Sequence, residues 1–280
     1  TEGEVIEQIK TLVSVLPANN EDDMSYIECT DDLNRLTPEL EGRISDPALA
    51  LNIISDSGYV LEVKKNFARE MFTGFIRLNG NTVGVVANRR ALYDENGEIA
   101  DEFENVLSHQ GSDKAAGFVE FCDAFNIPVL TLVDVKGYRA TKCSEKRMPK
   151  AGAKLTYAYA NATVPKVSLI VGDAYGSASL SMNSKSIGAD IVFAWENAKM
   201  GMMNASEAVK IIYSSEDIKT TLEEKTREYE NLQNSAVYAA RRGYVDDIIT
   251  VADTRKRLLA AFEMLFTKKE DRPYKKHGSI

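Results

Sequence analysis

The chain has 280 residues, 44% of them hydrophobic, with 42 acidic against 34 basic side chains and a formal net charge of −8. That length buries a sizeable core, and no apolar run approaches the roughly 18 to 20 residues of a membrane span. The acidic balance excludes a nucleic-acid partner held by a basic surface. Three cysteines, Cys29, Cys122 and Cys143, are too few and too irregularly spaced for a disulfide framework or a metal site and point to the cytoplasm. The sequence opens at Thr1 with no signal-peptide pattern, as a processed product or a fragment does.

In chain order, apolar positions at Val5, Ile6, Ile9, Leu12, Val13 and Leu16 predict a helix over 5–16, stopped by Pro17. Residues 18–47 are acidic, carry Pro38 and Pro47 and show little periodicity. Residues 1–47 therefore read as a helix plus a linker, and 48–280 as the main domain. The domain starts with a short helix through Ile54 and an extended piece at 59–63. Apolar runs at 71–78 and 82–88 flank Asn79-Gly80, a strong hairpin signal. Residues 93–108 are polar and acidic and predict a surface excursion.

The sequence then repeats itself. Ile127-Pro128-Val129-Leu130-Thr131-Leu132-Val133 is followed by a turn at Lys136-Gly137-Tyr138, and Val164-Pro165-Lys166-Val167-Ser168-Leu169-Ile170 by one at Tyr175-Gly176-Ser177-Ala178. The offset is 164 − 127 = 37 residues. It extends backwards, since Phe118, Phe121, Cys122 and Phe125 recur as Leu155, Ala158, Tyr159 and Ala162, one helical face in each unit. Each unit reads as helix, buried strand, glycine turn, and each turn is expected to run into a helix with unpaired N–H groups above it. A weaker third unit has a helix over 178–187 and a strand over 191–194, and 198–203 is another short extended piece. From Ala205 onward the pattern is helical. It includes a charged stretch at 216–231, a helix over 236–242 closed by Gly243, and a last helix capped at Asp253-Thr254 with Leu258, Leu259, Phe262, Leu265 and Phe266 facing inward. Helices alternating with strands buried on both faces make the fold class α/β.

Two histidines, His109 in an acidic loop and His277 in the tail, argue against Ser-His-Asp, Cys-His and zinc chemistry. Neither a Walker motif nor GxGxxG follows a strand. Main-chain amides remain: those of Gly137 and Tyr138 in the first turn, and of Ser177 and Ala178 in the second, suit an enolate or carboxylate oxyanion. Lys136, beside the first turn, is a candidate to meet a carboxylate. The basic clusters at 142–150 and at Lys268, Lys269, Arg272, Lys275 and Lys276 read as solvated surface. Met200, Met202 and Met203 read as core or oligomer contact, and Trp195 as packing.

The residues also resemble a family. Ser112-Asp113-Lys114-Ala115-Ala116, Phe121-Cys122-Asp123-Ala124-Phe125-Asn126-Ile127-Pro128 and Leu130-Thr131-Leu132-Val133-Asp134-Val135 are similar to the β-type carboxyltransferase of biotin-dependent acyl-CoA carboxylases. So are Gly152-Ala153-Lys154-Leu155, Ala162-Thr163-Val164-Pro165-Lys166, and Arg242-Gly243-Tyr244-Val245-Asp246-Asp247 through Lys275-Lys276-His277-Gly278. Relatives include propionyl-CoA carboxylase β, the transcarboxylase central subunit and the α subunits of sodium-pumping decarboxylases.

The resemblance implies a crotonase/ClpP-like ββα superhelix, here the second of two tandem domains, without the N-terminal domain that binds acyl-CoA. It implies biotin on a separate carrier domain or protein, a biotin carboxyl carrier protein as partner, acyl-CoA as substrate, no metal, and a homo-oligomer whose site forms between subunits. It places the biotin-side oxyanion on the amides of Ser177 and Ala178, after Gly176, and needs no protein base. Lys136-Gly137-Tyr138 stands where many relatives have Pro-Gly-Phe, Gly176-Ser177-Ala178 where they have Gly-Gly-Ala, and Lys150-Ala151 where they have Arg-His. Leu180 occupies the position where substrate-selecting relatives often place aspartate. Two other readings stay open: a non-catalytic assembly module, and a free-standing crotonase-type hydratase or isomerase using Glu145 as acid/base.

Overall fold

The computed structural model describes residues 2–22, 25–94, 96–214 and 221–270. Helix α1 (Glu2–Val15) precedes α2 (Pro47–Ile54), after which β1 (Val60–Glu62), β2 (Met71–Leu78) and β3 (Asn81–Asn88) open the main sheet. Strands β4 (Ala91–Tyr93) and β5 (Ile99–Glu102) form a separate ribbon. The repeated units follow as α3 (His109–Ala124) into β6 (Val129–Val135), α4 (Lys142–Asn161) into β7 (Lys166–Tyr175), and α5 (Gly176–Ser181) into β8 (Ile191–Trp195). The remainder comprises β9 (Lys199–Gly201), α6 (Ala205–Ile212), α7 (Leu222–Tyr229), a π-helical turn Glu230–Asn234, α8 (Ala236–Arg241), β10 (Asp247–Ile249) and α9 (Thr254–Met264). The sheet order is β1-β2-β3-β6-β7-β8-β10, with β9 beside β7. The β1-β2-β3 pairs are antiparallel and the later ones parallel. Among the described residues no helix is long and apolar enough to cross a membrane.

The hairpin turn carries Asn79 at φ 51° and Gly80 at φ 75°, the left-handed pair that a two-residue turn requires. Strand β6 is buried along its whole length. Its Val129, Val133 and Val135 join the cluster with α3 and α4, while Leu130 and Leu132 join the one with α2 and α9. Lys166, the first residue of β7, reaches back to the second repeated helix: its buried Nζ donates to the carbonyl of Tyr159 at 2.7 Å, near the C-terminus of α4, where a cation is favourable. Trp195 is packed in the core as expected, its Nε1 donating to Thr254 Oγ1 at 2.9 Å.

Several expectations are corrected. The excursion at 93–108 contains β5, and the stretch expected to be wholly helical contains β10. These strands are four and three residues long, too short to show a period. β10 is held by pairing with β8 and by Asp246, whose carboxylate accepts from Val192 N at 2.8 Å. His109 lies in the first turn of α3, buried, rather than in a loop. Helix α5 stops at Ser181 instead of continuing to 187. In the last helical stretch Leu258, Leu259, Phe262 and Leu265 pack inward as expected, joined by Thr254, Arg255 and Ala261, but Phe266 is exposed. Arg255 turns inward because its guanidinium meets Asp56 at 2.7 Å. No correction falls on the segment read as a linker draped over a surface: it lies along the domain, with Leu40 fully buried and Thr37 N donating to Ala252 O at 2.9 Å. Arg272, Lys275, Lys276 and His277 lie outside the described residues.

Gly84 of β3 has no room for a side chain: a Cβ there would lie 2.5 Å from Cys122 Sγ and 3.2 Å from Phe118 Cε1. Gly84→Ala is expected to cost about 1 to 3 kcal/mol by overpacking, and adding Cys122→Ala should restore part of it, read by urea denaturation of the single and double variants. Lys114, buried in α3, donates to Met71 O at 2.7 Å, and burial lowers its amine to about 8. Its folded form favours the neutral amine, so the penalty is complete below pH 8 and is relieved as pH rises toward the unfolded value near 10.5. The melting temperature of wild type relative to Lys114→Met should therefore climb between pH 8 and 10; parallel curves would contradict this.

Candidate active site

Strands β6 and β7 pair in the register of the sequence repeat, from Val129↔Lys166 to Val133↔Ile170, each pair 37 residues apart. The next pair, Val135↔Ala174, is 39 apart (174 − 135), so β7 carries two extra residues at this point. The excess is wrapped around Asp134. Its Oδ1 accepts from Asp173 N at 3.0 Å and Asn105 Nδ2 at 2.8 Å, and its Oδ2 pairs with Arg90 Nε at 2.8 Å. Gly172 sits against the carboxylate, where a Cβ would come within 2.6 Å of Oδ1. Beyond this bulge Tyr175 is extended and Gly176 turns at φ 61°, a left-handed position that favours glycine, to start α5. Burial, and then Asp173, push the Tyr175 hydroxyl up to about 12, so it stays protonated.

No side chain caps α5. Among the described residues the amides of Ser177 and Ala178 meet no backbone or side-chain acceptor. Below the helix is a cavity of about 650 Å³ whose floor is the sheet at Val133, Ser168, Ile170 and Val192. Gly176, Ser177 and Leu180 of α5 line it, as do Asn234 of the π-helical turn, Tyr238 of α8 and Arg242 just after α8. Leu180 and Met202 lie at the rim, 47% and 82% exposed, so Met202 is a surface residue, not core. Ser184, also on the wall, has a buried Oγ without a partner. Ala178 is buried, with its methyl in the core, and does not itself line the cavity.

The first turn differs from its expectation. After β6 no helix follows directly: the chain passes through residues 136–141, with an isolated bridge between Tyr138 and Leu107, and α4 begins only at Lys142, capped by Thr141. Lys136 N donates to Asn105 O at 2.9 Å, Leu107 N to Gly137 O at 2.8 Å and Arg139 N to Leu107 O at 3.0 Å. Pairing with the 105–107 segment thus holds this turn flat and keeps the amides of Gly137 and Tyr138 away from any helix start. Neither residue lines the cavity. They adjoin it indirectly: the Tyr138 hydroxyl lies 3.3 Å from Ser181 Oγ of α5, and Lys136 Nζ lies 3.6 Å from Asp173 of the bulge. Glu145 is exposed in the first turn of α4 and does not line the cavity. The structure therefore sets Gly176, Ser177 and Leu180 on the cavity wall, with Ala178 beside Ser177 but off the lining, and places Lys136, Gly137 and Tyr138 away from it.

Sequence reasoning missed Asp134, Gly172, Tyr238 and Arg242. For the first two a signal existed: Gly137 follows Val133 by four residues, whereas Gly176 follows Ile170 by six. Among the described residues no cluster of three or more His, Cys, Asp or Glu is placed to hold a metal ion.

The profile of the carboxyl transferase domain matches residues 1–280. The chain belongs to the carboxyltransferase family. It is 40% identical over 288 residues to the methylmalonyl-CoA decarboxylase subunit alpha of Propionigenium modestum, covering 98% of this chain and 54% of that protein. A putative propionyl-CoA carboxylase beta chain of Bacillus subtilis is 41% identical over 290 residues, covering 100% and 55%. The crystal structure of the transcarboxylase 12S hexamer superposes with a TM-score of 0.87 at 39% identity, over 97% of this chain and 53% of that one. This carboxyltransferase chain thus spans about half the length of the relatives it matches, and its fold is the crotonase-like one.

Replacing Gly172 with alanine forces the bulge off Asp134. A loss of about 1 to 3 kcal/mol is expected, and Gly172→Ala with Asp134→Ala together should cost less than the two changes summed, as contacting positions do. Strict additivity in a double-mutant cycle would show that the two do not touch.

Proposed function

We propose that this chain is the biotin-side half of an acyl-CoA carboxyltransferase, which moves a carboxyl group between carboxybiotin on a biotin carboxyl carrier protein and the enolate of an acyl-CoA. The observation that carries this is the uncapped start of α5, whose Ser177 and Ala178 amides have no acceptor among the described residues, beside a small-molecule-sized cavity that no described carboxylate lines. Biotin's ring system fits such a site: an uncharged, largely apolar body needs apolar walls, and its ureido oxygen needs donors. When bound, it supplies the transferable carboxyl and a ureido nitrogen able to take the α-proton of the thioester. The residues of the chain hold and shield it. Ser177 and Ala178 direct N–H donors at the oxygen that gains charge, fixed in advance by the bulge at Asp134. Leu180 and Met202 line the mouth with apolar surface and exclude water, and Leu180 faces the position from which the acyl group is selected.

The thioester oxyanion falls to a second, N-terminal carboxyltransferase domain, in keeping with relatives about twice as long. On this reading residues 1–47 are the interdomain entry and 48–280 the catalytic half. The helix α1 supports the assignment, because Val5, Ile6, Ile9 and Val13 are more than half exposed and present an apolar face for another surface. The relative with a solved structure assembles as a hexamer, and an oligomer is proposed here too. The three cysteines are free thiols, which suits a reducing compartment such as the cytoplasm.

In enzyme reassembled with its other half, Ala178→Pro deletes one donor and should lower the rate constant for transfer about 10²- to 10³-fold, with circular dichroism and melting showing a folded protein. Glu145→Gln in the same assay should leave the rate within about twofold, since an exposed carboxylate away from the cavity cannot act as the base that a hydratase needs. Loss of turnover in Glu145→Gln with an active Ala178→Pro would transfer the assignment to the hydratase class.

A further inference from the structure

The charges around the cavity are unusual for a chain of net charge −8: among the described residues no Asp or Glu lines it, while two cations do, Lys185 and the exposed Arg242. Lys185 is spent. Its Nζ bonds both carboxylate oxygens of Asp246, at 2.8 and 2.7 Å, and the Asp190 carbonyl at 3.0 Å, which uses all three of its donors. Arg242 is different. Among the described residues its only polar partner is the Tyr238 hydroxyl, and its guanidinium carbon stacks 4.3 Å from the centre of the Tyr238 ring. Stacking orients the plane without neutralising the charge and leaves most of the five N–H donors free. Tyr238 also lines the cavity, one turn before Arg242, so the wall itself fixes the guanidinium.

We propose that Arg242 is the carboxylate-binding residue of this cavity: it takes the carboxyl group carried on a ring nitrogen of a cyclic urea. The inference rests on the function proposed above and goes beyond it, because it assigns the site a side chain that separates the carboxylated ligand from the uncarboxylated one. Backbone amides of α5 recognise the urea oxygen in either state; a planar cation recognises a carboxylate, and its pairing with two oxygens is directional. The floor of the cavity offers the anion no competing counter-charge, so discrimination falls on a single side chain. Tyr238 is the positioning residue that holds it.

The test is a titration calorimetry comparison on the 280-residue chain with two stable probes, the N-acetic acid of imidazolidinone and its uncharged methyl ester. Wild type should bind the acid about tenfold or more tightly than the ester. Arg242→Met should erase that preference while leaving ester affinity unchanged, and Arg242→Lys should keep part of it. Added salt should weaken the acid alone. A preference that survives Arg242→Met overturns the proposal and leaves the amide site standing. Binding of the ester without preference for the acid in wild type does the same. Failure of wild type to bind either probe removes the cyclic-urea site itself, and with it this assignment.

Discussion

A single buried carboxylate sets the geometry on which the site depends. Asp134 occupies the position where β7 gains two residues over β6, and it gathers an amide of β7, a side chain from the 105–107 segment and an arginine from the end of β3. A sheet of parallel repeats otherwise delivers every strand end in the same phase. The excess at β7 breaks that phase once, so that one strand end turns into a short uncapped helix while its neighbour remains extended. Function here follows from a local departure from regularity.

The packing beneath supports that departure cheaply. Val129 to Val135 are buried on both faces, so β6 cannot slide or tilt to relieve strain at its end. The repeated helices approach closely because small residues lie where they cross the sheet, as at Gly84 against Cys122. Rigid surroundings matter for the site proposed here, with main-chain donors, since an amide stabilises a transient charge only if it is already aimed when the charge appears.

Much of this was legible in the sequence. The hairpin at Asn79-Gly80, the two amphipathic helices, both buried strands and the turn at Gly176 are local patterns with clear periods, and the 37-residue offset even anticipates the strand register. The parts that were not legible have no local period. Strand β10 exists only because β8 offers it an edge, and the flatness of the Gly137 turn comes from residues 105–107, thirty positions earlier. Tyr238 of α8 and Arg242 just after it line the same cavity as Ser177, although nothing in their own sequence ties them to the second repeat. A motif identifies what a residue is able to do; the long-range contacts decide whether it is placed to do it.

The outer strands of the main sheet carry a separate consequence. β1 and β10, which terminate the order on its two sides, are each three residues long. So short a border offers few unpaired backbone groups to an incoming strand. The sheet of parallel repeats, which by its internal phase has no natural last member, is thereby left with little border on which another strand could add.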